Sequence, residues 1–280
     1  GMAHTHIART RTTRAGDYLF QLMIKGQPQP VVRRATSERS TRNAAAVLKA
    51  ITQESIANGL DGIVASSVAK RAALTTGAIY SRFENSDEML IALWENVVAP
   101  EFEPYLINTI AAINSPTPIT ATTPIIDLLE KPSRILGLGA EFLAIAQRND
   151  VVGEVVIPQI SMWLSDAGLH QRNNSVKKAG VALGASIAIG SALRSFITGT
   201  NAGMQIITEG IRGAINAATP TSSPRKRLDP VSTLSNTGVP LRDALINATA
   251  EVMGKTGFTN ATISRIARKS QVTSGSIYNF

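Results

Sequence analysis

The 280-residue sequence has no cysteine. That excludes disulfides and thiolate metal sites and is neutral on compartment. Histidine is nearly as scarce: His4, His6 and His170, two of them in the N-terminal tail. Gly137-Leu-Gly139 lacks the third glycine of a dinucleotide-binding loop. The acids of the middle region do not pair at helical spacing on an apolar face. No catalytic residue, metal ligand or cofactor site is assigned, and an enzyme is not expected. The N-terminus is polar and basic, without the apolar core of a secretory signal. The longest uncharged apolar-rich run near the middle, residues 179–193, has 15 residues. A membrane span needs about 20, so this run reads as a buried helix. A cytoplasmic protein with no membrane partner is expected.

What the sequence does have is a repeat. Ala46-Val-Leu-Lys-Ala50 through Gly59 to Thr75-Thr-Gly-Ala-Ile-Tyr80 returns as Ala244-Leu-Ile-Asn-Ala248 through Gly257 to Thr273-Ser-Gly-Ser-Ile-Tyr278, at a constant offset of 198 with no gap. Ala46, Ala50, Gly59, Ser66, Ala69, Thr75, Gly77, Ile79 and Tyr80 recur unchanged. Leu48, Leu60, Val68, Lys70 and Leu74 recur as Ile246, Phe258, Ile266, Arg268 and Val272. Apolar positions, glycines and their spacing are kept, which marks one structural unit used twice.

Spacing says what the unit is. In the second copy Leu245, Ile246, Ala248, Thr249 and Val252 or Met253 fall at helical intervals, and Gly257 stops that helix. Thr262 suits the N-cap of a second helix to Ser270, with Ile263, Ile266 and Ala267 inward. A short turn follows, then a third short helix carrying Ile277 and Tyr278. Two helices joined by a short turn form either an ordinary hairpin or a helix-turn-helix. Two copies with the same turn chemistry favour a nucleic-acid reader.

Gly59-Leu, Val68-Ala69, Leu74-Thr-Thr-Gly-Ala-Ile-Tyr-Ser-Arg-Phe83 and Asp87-Glu-Met-Leu90 resemble the N-terminal domain of tetracycline-repressor (TetR) family transcription regulators. Residues 257–278 resemble it more closely still. The resemblance covers about 45 residues of the first copy and about 40 of the second. The region between resembles the family only in layout. An all-α protein is expected, with a basic extension at 1–38, a DNA-binding helix-turn-helix domain at 39–99, and a helical effector-binding and dimerisation domain at 100–218. A linker at 219–240 and a partial second helix-turn-helix at 241–280 complete it. The resemblance leaves open a parent chain continuing past Phe280, in which two units would imitate a dimer.

The net charge of +8 is uneven. Residues 1–45 carry +6 and 220–280 carry +5, whereas 46–99 carry −2 and 100–219 carry −1. Basic charge beside a groove-reading helix raises affinity by releasing counterions from phosphates. The arm with Arg9, Arg11 and Arg14 is either a solvated tail or a minor-groove contact.

By resemblance, the third helix of each copy lies in the major groove of double-stranded DNA. The positions carried over in copy one are Thr75, Thr76, Ala78, Tyr80 and Arg82, with Lys70 and Arg71 of the preceding helix on the backbone. In copy two they are Thr262, Arg268, Thr273, Ser274, Ser276 and Tyr278. Gly77 is expected to keep the recognition helix close to its neighbour. Copy one departs from the family pattern. Val64 stands where copy two has the capping Thr262, Ala65 stands for Ile263, and Ser86 replaces a lysine, with Glu84 and Asp87 beside it.

In the middle domain helices are expected at 133–149, 151–167 (bent at Pro158), 176–197 and 202–218. Pro116, Pro118, Pro124 and Pro132 should cut the part before 133 into short pieces. Residues 179–199 are crowded with Gly180, Ala182, Gly184, Ala185, Ala188 and Gly190. Such a stripe lets another helix approach closely, either within the chain or across a subunit boundary. By resemblance, the last two helices pair with those of a second copy, giving a homodimer. Leu136, Phe142, Leu143, Ile145, Ile160, Trp163 and Leu164 form either a filled core or a pocket for a small apolar effector. Two functions follow: a DNA-binding regulator, most simply a repressor released by that effector, or a helical sensor or interaction module whose first helix-turn-helix has lost DNA binding.

Overall fold

The computed structural model describes residues 32–115, 123–172, 174–196, 202–217 and 235–278. The basic arm and most of the expected linker lie outside them. Every regular element among the described residues is helical. The first reader is α1 (Val32–Asn58), a 3-10 turn (Leu60–Gly62), α2 (Ala65–Ala72) and α3 (Thr76–Tyr80). Helix α1 therefore begins inside the stretch assigned to the extension.

A rod follows, made of α4 (Ser86–Leu93), a π-turn (Trp94–Val98) and α5 (Ala99–Asn114). Asn85 caps it by accepting the Glu88 N–H at 3.1 Å, and Asp87 and Glu88 suit the positive end of the helix dipole. The π-turn precedes Pro100. Proline has no N–H to give and crowds the carbonyl four residues back, so a wider turn relieves the clash.

The middle domain continues with α6 (Thr123–Glu130), α7 (Arg134–Ile145), α8 (Asp150–Asp166), α9 (Ser175–Arg194) and α10 (Met204–Ala217). Helix α6 was not expected. Pro124 lies in its first turn, where the missing N–H has no helical partner anyway. Likewise Pro104 sits inside α5 and Pro158 inside α8 without ending either helix.

Two alternatives left open for this domain can be weighed against the packing. The small-residue face of α9 is covered within the chain by α5. A Cβ on Gly184 would lie 2.8 Å from the Cα of Ile110, and Tyr105 Oη donates to the carbonyl of Ala188 at 2.9 Å. By length and composition alone α9 could cross a membrane; here this face packs on α5. The second alternative concerns the pocket. Leu136, Phe142, Ile145 and Trp163 are buried, with Leu143, Ile160 and Leu164 packed against them. Trp94 lies 5.1 Å from Phe142 and 6.0 Å from Trp163, ring centre to ring centre, and its Nε1–H donates to Gln159 at 2.7 Å. These rings pack against one another. Gly137 and Gly139 have a packing role here, since Phe196 and Phe102 press against their α-carbons.

The second reader is α11 (Pro240–Thr256), α12 (Ile263–Ser270) and α13 (Ser274–Ile277). Its elbow matches the first: Gly59 has φ 78° and ψ 168°, and Gly257 has φ 77° and ψ 167°. A positive φ of this size favours glycine.

Candidate nucleic-acid interface

Each reader turns between its second and third helices by the same device. Ala73 at φ 54° and Gln271 at φ 58° adopt the left-handed conformation that ends a helix. Leu74 N–H then returns to the Ala69 carbonyl at 2.9 Å, and Val272 N–H to Ala267 at 3.0 Å. The side chain of Thr75 caps α3 by accepting the Ala78 N–H, as Thr273 does for Ser276. Thr76 and Tyr80 are exposed and Ala78 half-buried; Ser274 and Tyr278 are exposed and Ser276 half-buried. Ile79 is buried beneath the first set. Both recognition helices thus present a hydroxyl-rich first turn and a tyrosine to solvent. Hydroxyls of this kind donate to phosphate or base edges, and threonine methyls meet thymine.

Gly77 does not act as expected. A Cβ there would meet only Thr75 Oγ1 at 3.9 Å, ordinary contact distance. Packing against the neighbouring helix does not require glycine at this position.

The cations differ between the readers. Lys70 is exposed. Arg71 gives its Nε–H to Glu54, which also accepts from Asn58 at 2.6 Å. The Arg71 hydrogen bond, with help from Asn58 and Ser67, holds the Glu54 carboxyl below its ordinary value against the opposing effect of burial. Arg82 curls back to the Ala78 carbonyl at 2.8 Å. In copy two Arg268 is exposed, and Lys269 pairs with Glu251 at 2.8 Å on the surface.

The start of the second helix also differs. Val64 is 50 % exposed and makes no capping bond, whereas Thr262 Oγ1 accepts the Arg265 N–H at 3.4 Å. Ser86, at the lysine position, donates instead to the Ile63 carbonyl at 3.0 Å. A hollow of about 230 Å³ lies between Val64, Tyr80, Phe83 and Ser86.

Sequence reasoning missed the polar groups holding the first reader to the middle domain. Glu141 accepts the Leu60 N–H at 2.7 Å, Arg148 pairs with Asp61 at 2.5 Å, and Asn149 donates to Asp87 at 2.7 Å. Burial pushes the Glu141 carboxyl above its ordinary value; the Leu60 N–H and Arg148 pull it down and Asp61 pushes it up. Gly257 of the second reader packs against the same Asp61–Arg148 pair. No sequence signal marks these partners, which lie 62 to 87 residues apart.

Residues 245–280 match the family model for bacterial regulatory proteins of the tetR family. The C-terminal reader is a TetR-family helix-turn-helix. No curated protein and no solved structure matches the chain. The TetR-family match covers α12 and α13; their offset-198 counterparts α2 and α3 share the left-handed turn and the threonine cap of the third helix.

Proposed function

We propose that this chain is a sequence-specific DNA-binding transcription regulator, acting as a repressor and as a two-fold dimer. The observation that carries the reading is the duplicated turn. Two segments with matched torsions each present a threonine-capped recognition helix and an outward tyrosine. Thr75, Thr76, Ala78, Tyr80 and Arg82 in one copy, and Thr262, Arg268, Thr273, Ser274, Ser276 and Tyr278 in the other, are the proposed contacts. Base contacts would specify and phosphate contacts would position. To enter among the residues expected to line a pocket, a small apolar effector would part Trp94 from Trp163, whose rings are stacked. It would have to bind the opened form better than the closed one.

For dimerisation the apolar surface left on α9 and α10 is the natural face. Leu183, Leu193, Ile206 and Ile207 are exposed there, beside an open hollow of about 260 Å³ lined by Val176, Leu183, Ile211 and Ile215. Closed two-fold pairing is the commonest arrangement of soluble oligomers.

One set of observations favours the second reading, in which the first reader no longer grips DNA. Arg71 is bound to Glu54, Arg82 is folded onto its own helix, and α2 starts without a side-chain cap. Selection of duplex DNA from random sequence separates the two. Enrichment of a motif, weakened by both Thr76→Ala and Ser274→Ala, supports two working readers. Weakening by Ser274→Ala alone supports the second reading, and no enriched motif counts against regulation altogether.

A further inference from the structure

The first reader is fastened to the middle domain by side chains from one short stretch, residues 141–149. Glu141 on α7 accepts the Leu60 N–H, which opens a 3-10 turn lacking any side-chain cap of its own. An N–H at that position has no partner within its turn. A Cβ on the elbow glycine, Gly59, would lie 3.2 Å from Glu141 Oε1, so the two segments are in close contact. Arg148 holds Asp61, the next residue of the same turn. Asn149 holds Asp87 in the first turn of α4, while its own Oδ1 accepts the Val152 N–H at 3.1 Å to start α8. The grips fall before α2 and after α3, so they bracket the recognition helix. The repeat supplies a comparison within the molecule. Leu60 is 1 % exposed, and its counterpart Phe258 is 79 % exposed. The unit does not bury this position by itself; in the first reader the middle domain covers it.

We propose that Glu141, Arg148 and Asn149 are positioning residues that set the tilt of the first recognition helix on its middle domain, and through it the half-site spacing that a dimer accepts. This rests on the regulator reading above. In a two-fold dimer the separation of the two recognition helices depends on how each reader is seated on its own middle domain, and half-sites are read at matching separations. None of the three residues needs to touch DNA.

The test uses the full chain and duplexes that it selects from random sequence, re-spaced by adding or removing single base pairs between half-sites. Glu141→Leu keeps the bulk and removes the acceptor. It should weaken binding at the preferred spacing about ten-fold and flatten the preference among spacings. Glu141→Gln keeps an acceptor oxygen and should restore both. Arg148→Gln orphans no backbone N–H, should flatten the profile in the same direction, and serves where Glu141→Leu does not fold. A merely structural role would lower stability and leave the relative preference among spacings unchanged. An unchanged preference in every variant that folds overturns the proposal. Failure of the unsubstituted chain to select any duplex overturns the regulator reading and this proposal with it, and is seen before any substitution is made.

Discussion

Arg71 donates its Nε–H to Oε2 of Glu54, joining α2 to a carboxylate 5 % exposed on α1. The resemblance suggests a phosphate contact for this arginine; the bond gives it a structural task. Arg71→Ala should destabilise the chain by about 1–3 kcal/mol, because a buried acceptor loses its charged partner. The same substitution should leave the salt dependence of DNA binding unchanged. Urea denaturation and a binding titration against salt check the two halves, and a shallower salt slope would return Arg71 to the phosphate backbone.

Stability should depend on pH in opposite senses at two glutamates. The depressed carboxyl of Glu54 contributes stability that is present above its ordinary value of 4.5 and lost as pH falls through its folded value. The raised carboxyl of Glu141 binds a proton more readily in the folded chain. Its contribution is greatest below 4.5 and declines as pH rises from there through its folded value. Urea midpoints measured from about pH 3 to about pH 7 should lose the acid-side fall in Glu54→Gln and the decline above 4.5 in Glu141→Gln.

Val64→Thr should add the missing cap to α2 and raise stability by about 0.5–2 kcal/mol. Thermal denaturation reads this directly. Combined with Ser86→Lys, it should tighten DNA binding at low salt regardless of sequence. No change in affinity would mean that the first reader does not lie on DNA as its resemblance implies.

Trp163 is 2 % exposed and stacked on Trp94. Trp163→Ala should cost about 3–5 kcal/mol and leave an apolar cavity. A small apolar probe such as benzene should raise the melting temperature of this variant and leave the parent chain unaffected. Equal stabilisation of both would reveal a pocket already open.

Ile207→Glu should dissociate a dimer built on the exposed face of α9 and α10, as read by sedimentation. Gly184→Leu should instead destabilise each chain, because a side chain there runs into the backbone of Ile110. An unchanged dimer in a folded Ile207→Glu variant would exclude this face.

Much of the reader is legible in the sequence, because its design is local. Glycines at the elbow, an N-cap and apolar positions a few residues apart fix the turn, and the constant offset shows it twice. Partners are less legible. The small residues of α9 require a helix at close range without naming it, and α5 fills that place. Trp163 and Phe142 are the same residues whether they line a hollow or fill one; only their mutual packing decides. Glu54 gives no hint of Arg71, since the crossing of α1 and α2 brings them together. Prolines mislead where their missing N–H falls in a first helical turn or a widened one.

The π-turn between α4 and α5 carries one residue more than an α-turn. The wider turn absorbs that residue, so the two ends of the rod keep nearly the orientation of a continuous helix while the pattern of buried positions shifts by one across residues 94–98. Losing a single codon from residues 94–98 should return the stretch to an α-turn and leave both halves helical with little rotation between them. A one-residue deletion elsewhere in the rod would instead turn one half against the other by about 100°, so this turn is the place where the rod best tolerates a change of length.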